Sequence, residues 1–303
     1  MCSMPGMERT PAMLKLDAAL VRRLLRSQFP RWADRPIRPV RPMGWDNRSF
    51  RLGDDMVVRL PSASFYAPQV EKEHRWLPIL GPQLPLPIPR PVAMGQPLHG
   101  YPWRWSIYEW LPGKTLTMRQ VSGSGRLARS LGLFLDALQR IDPAGGPPPG
   151  PDNFHRGGSL QVYDGEARQA ISLLEAEIDA KAATRLWDAA LAGQHEGPPM
   201  WVHGDVSAGN LLVESGALAG VIDFGCAAIG DPACDLALAW SSMGRRARHA
   251  FRSTLNLNDS AWVRGRGWAL WKALILRAGL VPAPAAAQKQ SRAALERILS
   301  DAW

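Results

Sequence analysis

The sequence predicts an α+β fold with a small, strand-rich N-terminal part and a larger, mainly helical C-terminal part. Residues 48–60 are predicted to form two strands joined by a turn at Gly53-Asp54-Asp55, and residues 103–111 a further strand that ends at Pro112-Gly113. After that point the pattern changes, because apolar residues recur mostly at helical spacing. The change places the boundary between the two parts near residue 113.

Two helices and an extended segment are predicted around these strands. Residues 14–29 have apolar positions at helical spacing, and Asp17 is a suitable N-cap. Residues 69–80 begin as a helix that Pro78 is expected to disturb, since proline lacks an amide donor and clashes with the preceding turn. Closely spaced prolines predict an extended chain over 82–92.

The C-terminal part is predicted to be mainly helical. In chain order, the prediction gives an amphipathic helix over 125–140, a Pro- and Gly-rich loop over 142–158, helices over about 164–192, loops and short strands over 200–223, and helices from 231 onward that break near 256–259 and at Pro282 and Pro284. The chain contains 13 tryptophans, and most are expected in the core or along a cleft.

Composition excludes several classes of protein. Of the 303 residues, 46% are hydrophobic and 21% are charged, as in ordinary globular proteins. No apolar run reaches the roughly 18 residues of a membrane span, so no membrane association is predicted. Residues 1–13 lack an apolar signal core and are predicted to be a flexible tail. The three cysteines Cys2, Cys226 and Cys234 form no disulfide framework, which indicates reduced thiols and a cytoplasmic location.

The charge is basic and unevenly distributed. The formal net charge is +9, and residues 241–303 hold eleven Lys or Arg against three Asp or Glu. A basic balance favours nucleic acid, membrane surfaces or anionic ligands as partners. Since no five like charges are consecutive, we interpret this segment as a solvated basic face and predict no nucleic-acid partner.

The strongest functional pattern is a pair of acidic motifs. The run WVHGDVSAGNLLV (201–213) places Asp205 and Asn210 five residues apart, and GVIDFG (220–225) places Asp223 at the end of an apolar strand. Phosphoryl transfer requires a carboxylate that orients the attacking hydroxyl and accepts its proton. It also requires oxygen ligands that hold a magnesium ion on the phosphates. Asp205 fits the first role, and Asn210 and Asp223 fit the second.

These motifs resemble the aminoglycoside phosphotransferase family, a branch of the protein-kinase-like superfamily that includes choline, macrolide and homoserine kinases. The family has His-Gly-Asp with Asn five residues later, then Ile-Asp-Phe-Gly, and both are present. Its next element, Gly-Asp-Pro followed by Asp-Leu-Ala, corresponds to residues 230–237. The resemblance extends over roughly 35–280. It implies that Asp235 braces the catalytic loop and that His203 has a structural role there.

The resemblance implies the two-lobed protein-kinase-like fold and a division of the chain. The expected parts are the tail 1–13, a nucleotide-binding lobe over 14–107, a hinge over 108–113, and a catalytic and substrate-binding lobe over 114–303.

In the N-terminal lobe the resemblance is weaker. The segment Gly44–Ser49 lies where the family has its phosphate-covering loop, with Asn47 and Ser49 as candidate nucleotide contacts, but a single glycine also fits a plain hairpin. The phosphate-contacting lysine of the family corresponds to Arg59. Arginine keeps the charge, although its planar fork differs from the point charge of lysine.

The remaining nucleotide contacts are also implied by the resemblance. The helix glutamate that pairs with the phosphate-contacting cation corresponds to Glu73, with Glu71 as the alternative. Backbone groups of Tyr108 and Trp110 are expected against adenine, with Ile107 behind it.

Together these features predict an ATP- and Mg²⁺-dependent kinase that phosphorylates a hydroxyl of a small molecule, as a monomer or weak dimer. The alternative is a nucleotide-binding module without efficient transfer, and Arg59 is the departure from the motif that favours it. A nucleic-acid binder leaves both acidic motifs unexplained. A protein kinase is disfavoured, because His-Gly rather than His-Arg precedes Asp205.

The substrate side is expected to include residues 153–158 and the helices after 240. The basic segment 241–303 predicts an acceptor that is neutral, singly charged or anionic, since a polycation requires an acidic wall. An acidic patch on the other wall would instead favour a polycationic acceptor, and its expected members are Asp152, Asp164 and Glu166.

Overall fold

The computed structural model describes residues 15–41, 44, 46–283 and 285–300. The predicted tail 1–13 lies outside them. The chain forms two compact units, which are considered in turn. The first unit contains the described residues up to Gly113 together with Gly220–Gly225, and the second contains Lys114–Ala219 and the described residues from Cys226 onward. Within the described part of the chain, no helix is both long and apolar enough to cross a membrane.

The first unit is built on one antiparallel sheet of five strands. The strands are β1 Ile37–Pro39, β2 Asn47–Leu52, β3 Met56–Pro61, β4 Pro91–Gly95 and β5 Trp105–Glu109, in the order β1-β2-β3-β5-β4. The helices of this unit are α1 Ala18–Gln28 and α2 Pro68–Leu80. The predicted turn at Gly53-Asp54-Asp55 therefore joins β2 to β3. Asp17 caps α1 as predicted, because its carboxylate accepts the amides of Ala19 and Leu20, both at 3.0 Å.

The core of the first unit follows from two periodicities. Leu20, Leu24 and their helical neighbours form the apolar face of α1, which packs in one cluster with Phe50 of β2 and Val58 of β3. Alternate residues of β3 and β5 are buried in the same cluster, including Ile107.

Two strands and one helix end differ from the sequence prediction. The prediction missed β1 and β4, which contain Pro39 and Pro91. Both strands are at the edges of the sheet, where a residue without an amide donor is tolerated. Helix α2 also continues through Pro78 to Leu80, because proline removes only one donor and the Gly81 amide still bonds to the Leu77 carbonyl.

The second unit is mainly helical, as predicted. Its helices are α3 Met118–Gly123, α4 Gly125–Gln139, α5 Asp164–Leu173, α6 Ala180–Ala192, α7 Ala237–Ser241, α8 Arg245–Arg252, α9 Asp259–Arg277 and α10 Ala285–Ser300. Its short strands are β6 Lys114–Thr115, β7 Met200–Val202, β8 Leu211–Glu214, β9 Ala217–Val221 and β10 Ala228–Gly230, of which β9 extends into the Gly220–Gly225 segment. The prediction missed β6 and α3, which are too short for a periodic pattern.

Helix α9 is the central element of the second unit. Buried residues lie on every side of it, and α5, α6, α7 and α10 all pack against it. The tryptophans Trp240, Trp262, Trp268 and Trp271 are all 2% exposed or less. They belong to the core, and the fixed geometry of α9 determines where its few polar side chains emerge.

Candidate active site

The loop between β7 and β8 carries the first acidic motif, and Asp235 fixes its backbone. The fully buried carboxylate of Asp235 accepts the amide of His203 through Oδ2 at 2.7 Å and the amide of Gly204 through Oδ1 at 2.8 Å. Two charge-assisted hydrogen bonds thus define the start of the loop. The bracing role expected for Asp235 is confirmed by this geometry.

The His-Gly-Asp sequence has a steric explanation. Gly204 has φ of +81°, and a Cβ atom there would lie 2.4 Å from the carbonyl oxygen of Cys226, so only glycine fits. His203 is fully buried, and its Nδ1 accepts the amide of Asp205 at 3.2 Å. As expected, this histidine shapes the loop.

Asp205 is held from two directions. The amide nitrogen of Asn210 donates to Asp205 Oδ2 at 3.0 Å and to its backbone oxygen at 2.9 Å. From α9, Nζ of Lys272 lies 3.0 Å from Asp205 Oδ1. One third of the Asp205 side chain remains exposed (33%), so the carboxylate is accessible to a substrate.

The charges around Asp205 decide its protonation. Burial alone would raise the pKa of Asp205, but the positive charges of Lys272 and Arg156 outweigh burial and hold the pKa well below its usual range. The carboxylate is therefore ionised throughout the neutral pH range. Such a group is a weak base, so its main contribution is to orient a hydroxyl and stabilise the proton as it leaves.

In the first unit, Arg59 of β3 joins two carboxylates. Its Nη1 lies 3.2 Å from Oε2 of Glu73 in α2, and its Nη2 lies 2.7 Å from Oδ1 of Asp223. The hydroxyl of Tyr108 donates to Glu73 Oε2 at 2.5 Å. The predicted pairing of Arg59 with Glu73 is confirmed, whereas the alternative, Glu71, contacts a different arginine.

These contacts shift the pKa values of the buried cluster. Burial alone would lower the pKa of Arg59, but Glu73 and Asp223 raise it above its usual value. Burial, followed by the charge of Glu73, raises the pKa of Tyr108. The cluster therefore contains a permanent cation.

Asp223 is positioned by the second acidic motif. The amide of Val221 donates to the carbonyl oxygen of Pro87 at 3.0 Å, which ties this segment to the first unit. Asp223 itself has φ of +72°, a strained value for a residue other than glycine. At Gly225 a Cβ atom would lie 2.4 Å from Oε1 of Gln69, so the glycine allows α2 to approach.

Of the other predicted nucleotide contacts, Asn47, Ser49 and Tyr108 lie in the same sheet, and Trp110 directly follows β5. Asn47 and Ser49 are in β2, and Ser49 is directly opposite Arg59 on β3. The segment Gly44–Ser49, predicted as the phosphate-covering loop, lies between β1 and the middle of β2, because Asn47–Ser49 already belong to β2, and Trp45 lies outside the described residues. The amide of Trp110 donates to the carbonyl oxygen of Asp55 at 2.8 Å, so only its carbonyl oxygen is left for the predicted adenine contact.

The predicted metal ligands suit magnesium chemically. Because the Asn210 amide nitrogen is used on Asp205, its Oδ1 is the atom left for a cation. Asp223 is 28% exposed and engages Arg59 through Oδ1, which leaves Oδ2 as a hard oxygen donor. No group of three or more His, Cys, Asp or Glu able to hold a metal occurs among the described residues.

Two basic residues of this region were not singled out from the sequence. Arg156 was included only as part of the substrate-side loop 153–158, and Lys272 was not predicted at all. A lysine within the Trp- and Leu-rich stretch of α9 was the available signal, because a charge among buried positions calls for a partner.

Solved structures of phosphotransferases resemble the chain. The GDP complex of wild-type aminoglycoside 2'-phosphotransferase-IIIa has a TM-score of 0.70 at 18% identity, covering 93% of this chain and 98% of that one. A related aminoglycoside phosphotransferase with GDP and kanamycin has a TM-score of 0.69 at 20% identity, covering 92% and 98%. Macrolide 2'-phosphotransferase MphH from Brachybacterium faecium has a TM-score of 0.54 at 25% identity, covering 86% and 91%. These likenesses confirm the predicted protein-kinase-like fold.

No curated protein sequence matches the chain at a significant level. The sequence model of the phosphotransferase enzyme family, APH, matches residues 37–274. Since that match covers most of the chain and includes both acidic motifs, the chain belongs to the APH phosphotransferase enzyme family.

Proposed function

We propose that the chain transfers the γ-phosphoryl group of ATP to a hydroxyl of a small molecule with the help of Mg²⁺. The observation that carries this proposal is the environment of Asp205. It is an accessible carboxylate, ionised at neutral pH, in a loop that Asp235 and Asn210 hold in place. Such a group can orient a hydroxyl for attack on phosphorus.

Each residue has a defined part in the proposed reaction. The acceptor oxygen forms a bond to the γ-phosphorus, the bond to the β–γ bridging oxygen breaks, and ADP leaves. Asp205 accepts a hydrogen bond from the acceptor hydroxyl and takes its proton as the oxygen loses electron density. Arg59 donates charge-assisted hydrogen bonds to the phosphate oxygens of the nucleotide.

Asn210 and Asp223 are the proposed ligands of the metal. When bound, Mg²⁺ neutralises charge on the phosphate oxygens. The oxygen atoms left by their other contacts, Asn210 Oδ1 and Asp223 Oδ2, are the donors that we assign to this role.

The setting of the reaction is also part of the proposal. Cys226 and Cys234 are buried thiols that form no disulfide among the described residues, and we propose the cytoplasm, a reducing compartment. We further propose a monomer or weak dimer that binds neither nucleic acid nor membrane.

A second candidate is a nucleotide-binding module that transfers poorly. The ion pair between Arg59 and Asp223 favours it, because that pair occupies one oxygen of a proposed metal ligand. For this candidate, nucleotide binding would persist without turnover.

A coupled ADP-release assay separates the two candidates. The purified chain is supplied with ATP or GTP, since the similar structures hold GDP in one case and ATP in another. Acceptors include aminoglycosides, macrolides, amino alcohols, sugars and hydroxy acids, with and without excess EDTA. We expect Mg²⁺-dependent ADP release and a phosphorylated acceptor by mass spectrometry. Nucleotide binding without ADP release above the acceptor-free rate would support the second candidate.

A further inference from the structure

Arg156 is a buried cation that forms no ion pair among the residues the structure describes. It is 7% exposed, and its Nε is buried without a hydrogen-bond acceptor among the described residues. None of the ion pairs found in the described ranges includes it. Its guanidinium lies instead over the rings of Trp268 and Trp271, at 4.9 and 5.0 Å from their centroids. Because burying an unpaired charge is costly, such a group indicates a ligand that completes the site.

The loop that carries Arg156 is held in a strained conformation. Phe154 and His155 have φ of +54° and +50°, values that residues other than glycine rarely adopt. The buried side chain of Asn153 supports this turn, since its Oδ1 accepts the amide of Gly150 at 2.9 Å. Strain of this kind persists only where the surroundings enforce it, and it is common at ligand-binding positions.

Arg156 lies close to the catalytic loop. Its guanidinium lies over Trp268 and Trp271 of α9, and Nζ of Lys272, the next residue of that helix, lies 3.0 Å from Asp205 Oδ1. In α9, Trp268, Trp271 and Lys272 are three and four residues apart, so they project from one side of the helix. The guanidinium, the ammonium group and the Asp205 carboxylate therefore belong to one region of the second unit.

Three acids of the second unit are engaged by groups other than Arg156. Asp231 forms an ion pair with Arg264, with Oδ2 at 2.6 Å from the Arg264 Nε. Asp164 accepts the indole N–H of Trp187 at 2.7 Å, and Glu166 accepts that of Trp271 at 3.0 Å. Two members of the acidic patch considered from the sequence, Asp164 and Glu166, thus contact protein groups, whereas the third, Asp152, is exposed. A polycationic acceptor beside Asp205 would be repelled by Arg156 and Lys272, and the Asp205 carboxylate is already paired with Lys272.

We propose that Arg156 and Lys272 form an oxyanion subsite that binds a carboxylate or phosphate group of the acceptor beside the hydroxyl to be phosphorylated. This inference rests on the proposed function, since it assigns the subsite to the acceptor of that reaction. A guanidinium presents two parallel N–H donors to an oxyanion, and the two indole rings fix its plane. Binding of the oxyanion also gives Lys272 a second partner, which frees Asp205 Oδ1 for the acceptor hydroxyl.

The test is calorimetric titration of the nucleotide-free chain in a chloride buffer of fixed ionic strength. The probes are glycerate, inorganic phosphate and glycerol, which separate a carboxylate, a phosphate and a neutral polyol. We expect one saturable site for glycerate or phosphate and none for glycerol. Arg156→Met should raise the Kd of the anion about tenfold or more, because a charge-assisted hydrogen bond ordinarily contributes that much to affinity.

Arg252→Met is the matched control. The guanidinium of Arg252 also lies over a tryptophan, Trp262, at 5.2 Å, but it pairs with Asp259 at 2.6 Å. Its removal should leave anion binding unchanged. If Arg156→Met fails to fold by thermal melting, Arg156→Lys, which keeps the charge but loses the fork, is used in its place and should show an intermediate affinity.

Several results would overturn the proposal. They are an absence of saturable anion binding, glycerol binding as tight as glycerate, or an unchanged affinity in Arg156→Met. In the ADP-release assay, Arg156→Met should raise KM for a hydroxy acid or hydroxy phosphate while KM for the nucleotide stays constant, and the reverse pattern would assign Arg156 to the nucleotide. Because the titration contains no nucleotide, intact anion binding without ADP release would refute only the proposed function.

Discussion

Removing one partner of the Arg264–Asp231 ion pair should strongly destabilise the second unit. The pair is bidentate, with Nε 2.6 Å from Oδ2 and Nη2 3.0 Å from Oδ1, and the two residues are 5% and 8% exposed. Arg264→Met leaves the Asp231 carboxylate buried without its cation. A loss of this kind costs about 3–5 kcal/mol. For a domain of this size, that corresponds to a decrease in Tm of about 6–20 °C.

Urea unfolding followed by tryptophan fluorescence measures the effect, since α9 carries three buried tryptophans together with Arg264. The double variant Asp231→Asn/Arg264→Met removes both charges and should be more stable than Arg264→Met alone. Arg292→Met is the control, because the Arg292–Glu296 pair is 70% and 68% exposed and should contribute less than about 1 kcal/mol. A loss below about 1 kcal/mol in Arg264→Met, or strictly additive losses in the double variant, would refute this reasoning.

Three further predictions concern the proposed chemistry. Arg59→Ala should reduce kcat/KM about 10- to 100-fold, as expected for loss of a charge-assisted contact, and Arg59→Lys should retain part of the activity. Equal rates for Arg59→Ala and wild type would mean that Arg59 does not contact the nucleotide. Lys272→Met removes a positive charge that lowers the pKa of Asp205, so this pKa should rise and the acid limb of the plot of kcat against pH should move to higher pH. An unchanged acid limb would show that Lys272 does not influence the protonation of Asp205. Asp223→Ala should abolish Mg²⁺-dependent ADP release, and normal turnover with Mg²⁺ would place the metal elsewhere.

The direction of the pH effect follows from the sign of the shift. In wild type the folded-state pKa of Asp205 lies below the ordinary value of about 3.9. The stability that its ionised form contributes is therefore present above about pH 3.9 and is lost as the pH falls toward the folded-state value. Neutral-pH assays consequently examine only the ionised form of the wild-type enzyme.

The sequence was informative wherever local chemistry determines the structure. The pairing of Arg59 with Glu73 and the bracing of the catalytic loop by Asp235 were expected from the family resemblance, because short sequence motifs identify these residues. The β2–β3 turn and the cap of α1 were predicted for the same reason.

The missed features depend on contacts between distant parts of the chain. Lys272 reaches Asp205 across 67 positions, and no periodic pattern encodes that distance. Arg156 was visible only as one basic residue in a loop, since its burial depends on α9. The strands β1 and β4 were not predicted because they contain proline, which is tolerated only where a strand lies at the edge of a sheet, and their edge positions depend on the tertiary fold.

The proposed phosphoryl transfer is tested most directly by single-turnover kinetics of Asp205→Asn with ATP, Mg²⁺ and an unmodified acceptor that the wild-type protein phosphorylates in the ADP-release assay. Asparagine preserves the size of the side chain but cannot take the proton of the hydroxyl. We predict that the rate of transfer falls about 10²- to 10⁴-fold while nucleotide affinity and Tm remain close to those of wild type. A variant that retains more than about a third of the wild-type rate, far outside the range for loss of a general base, would contradict the account.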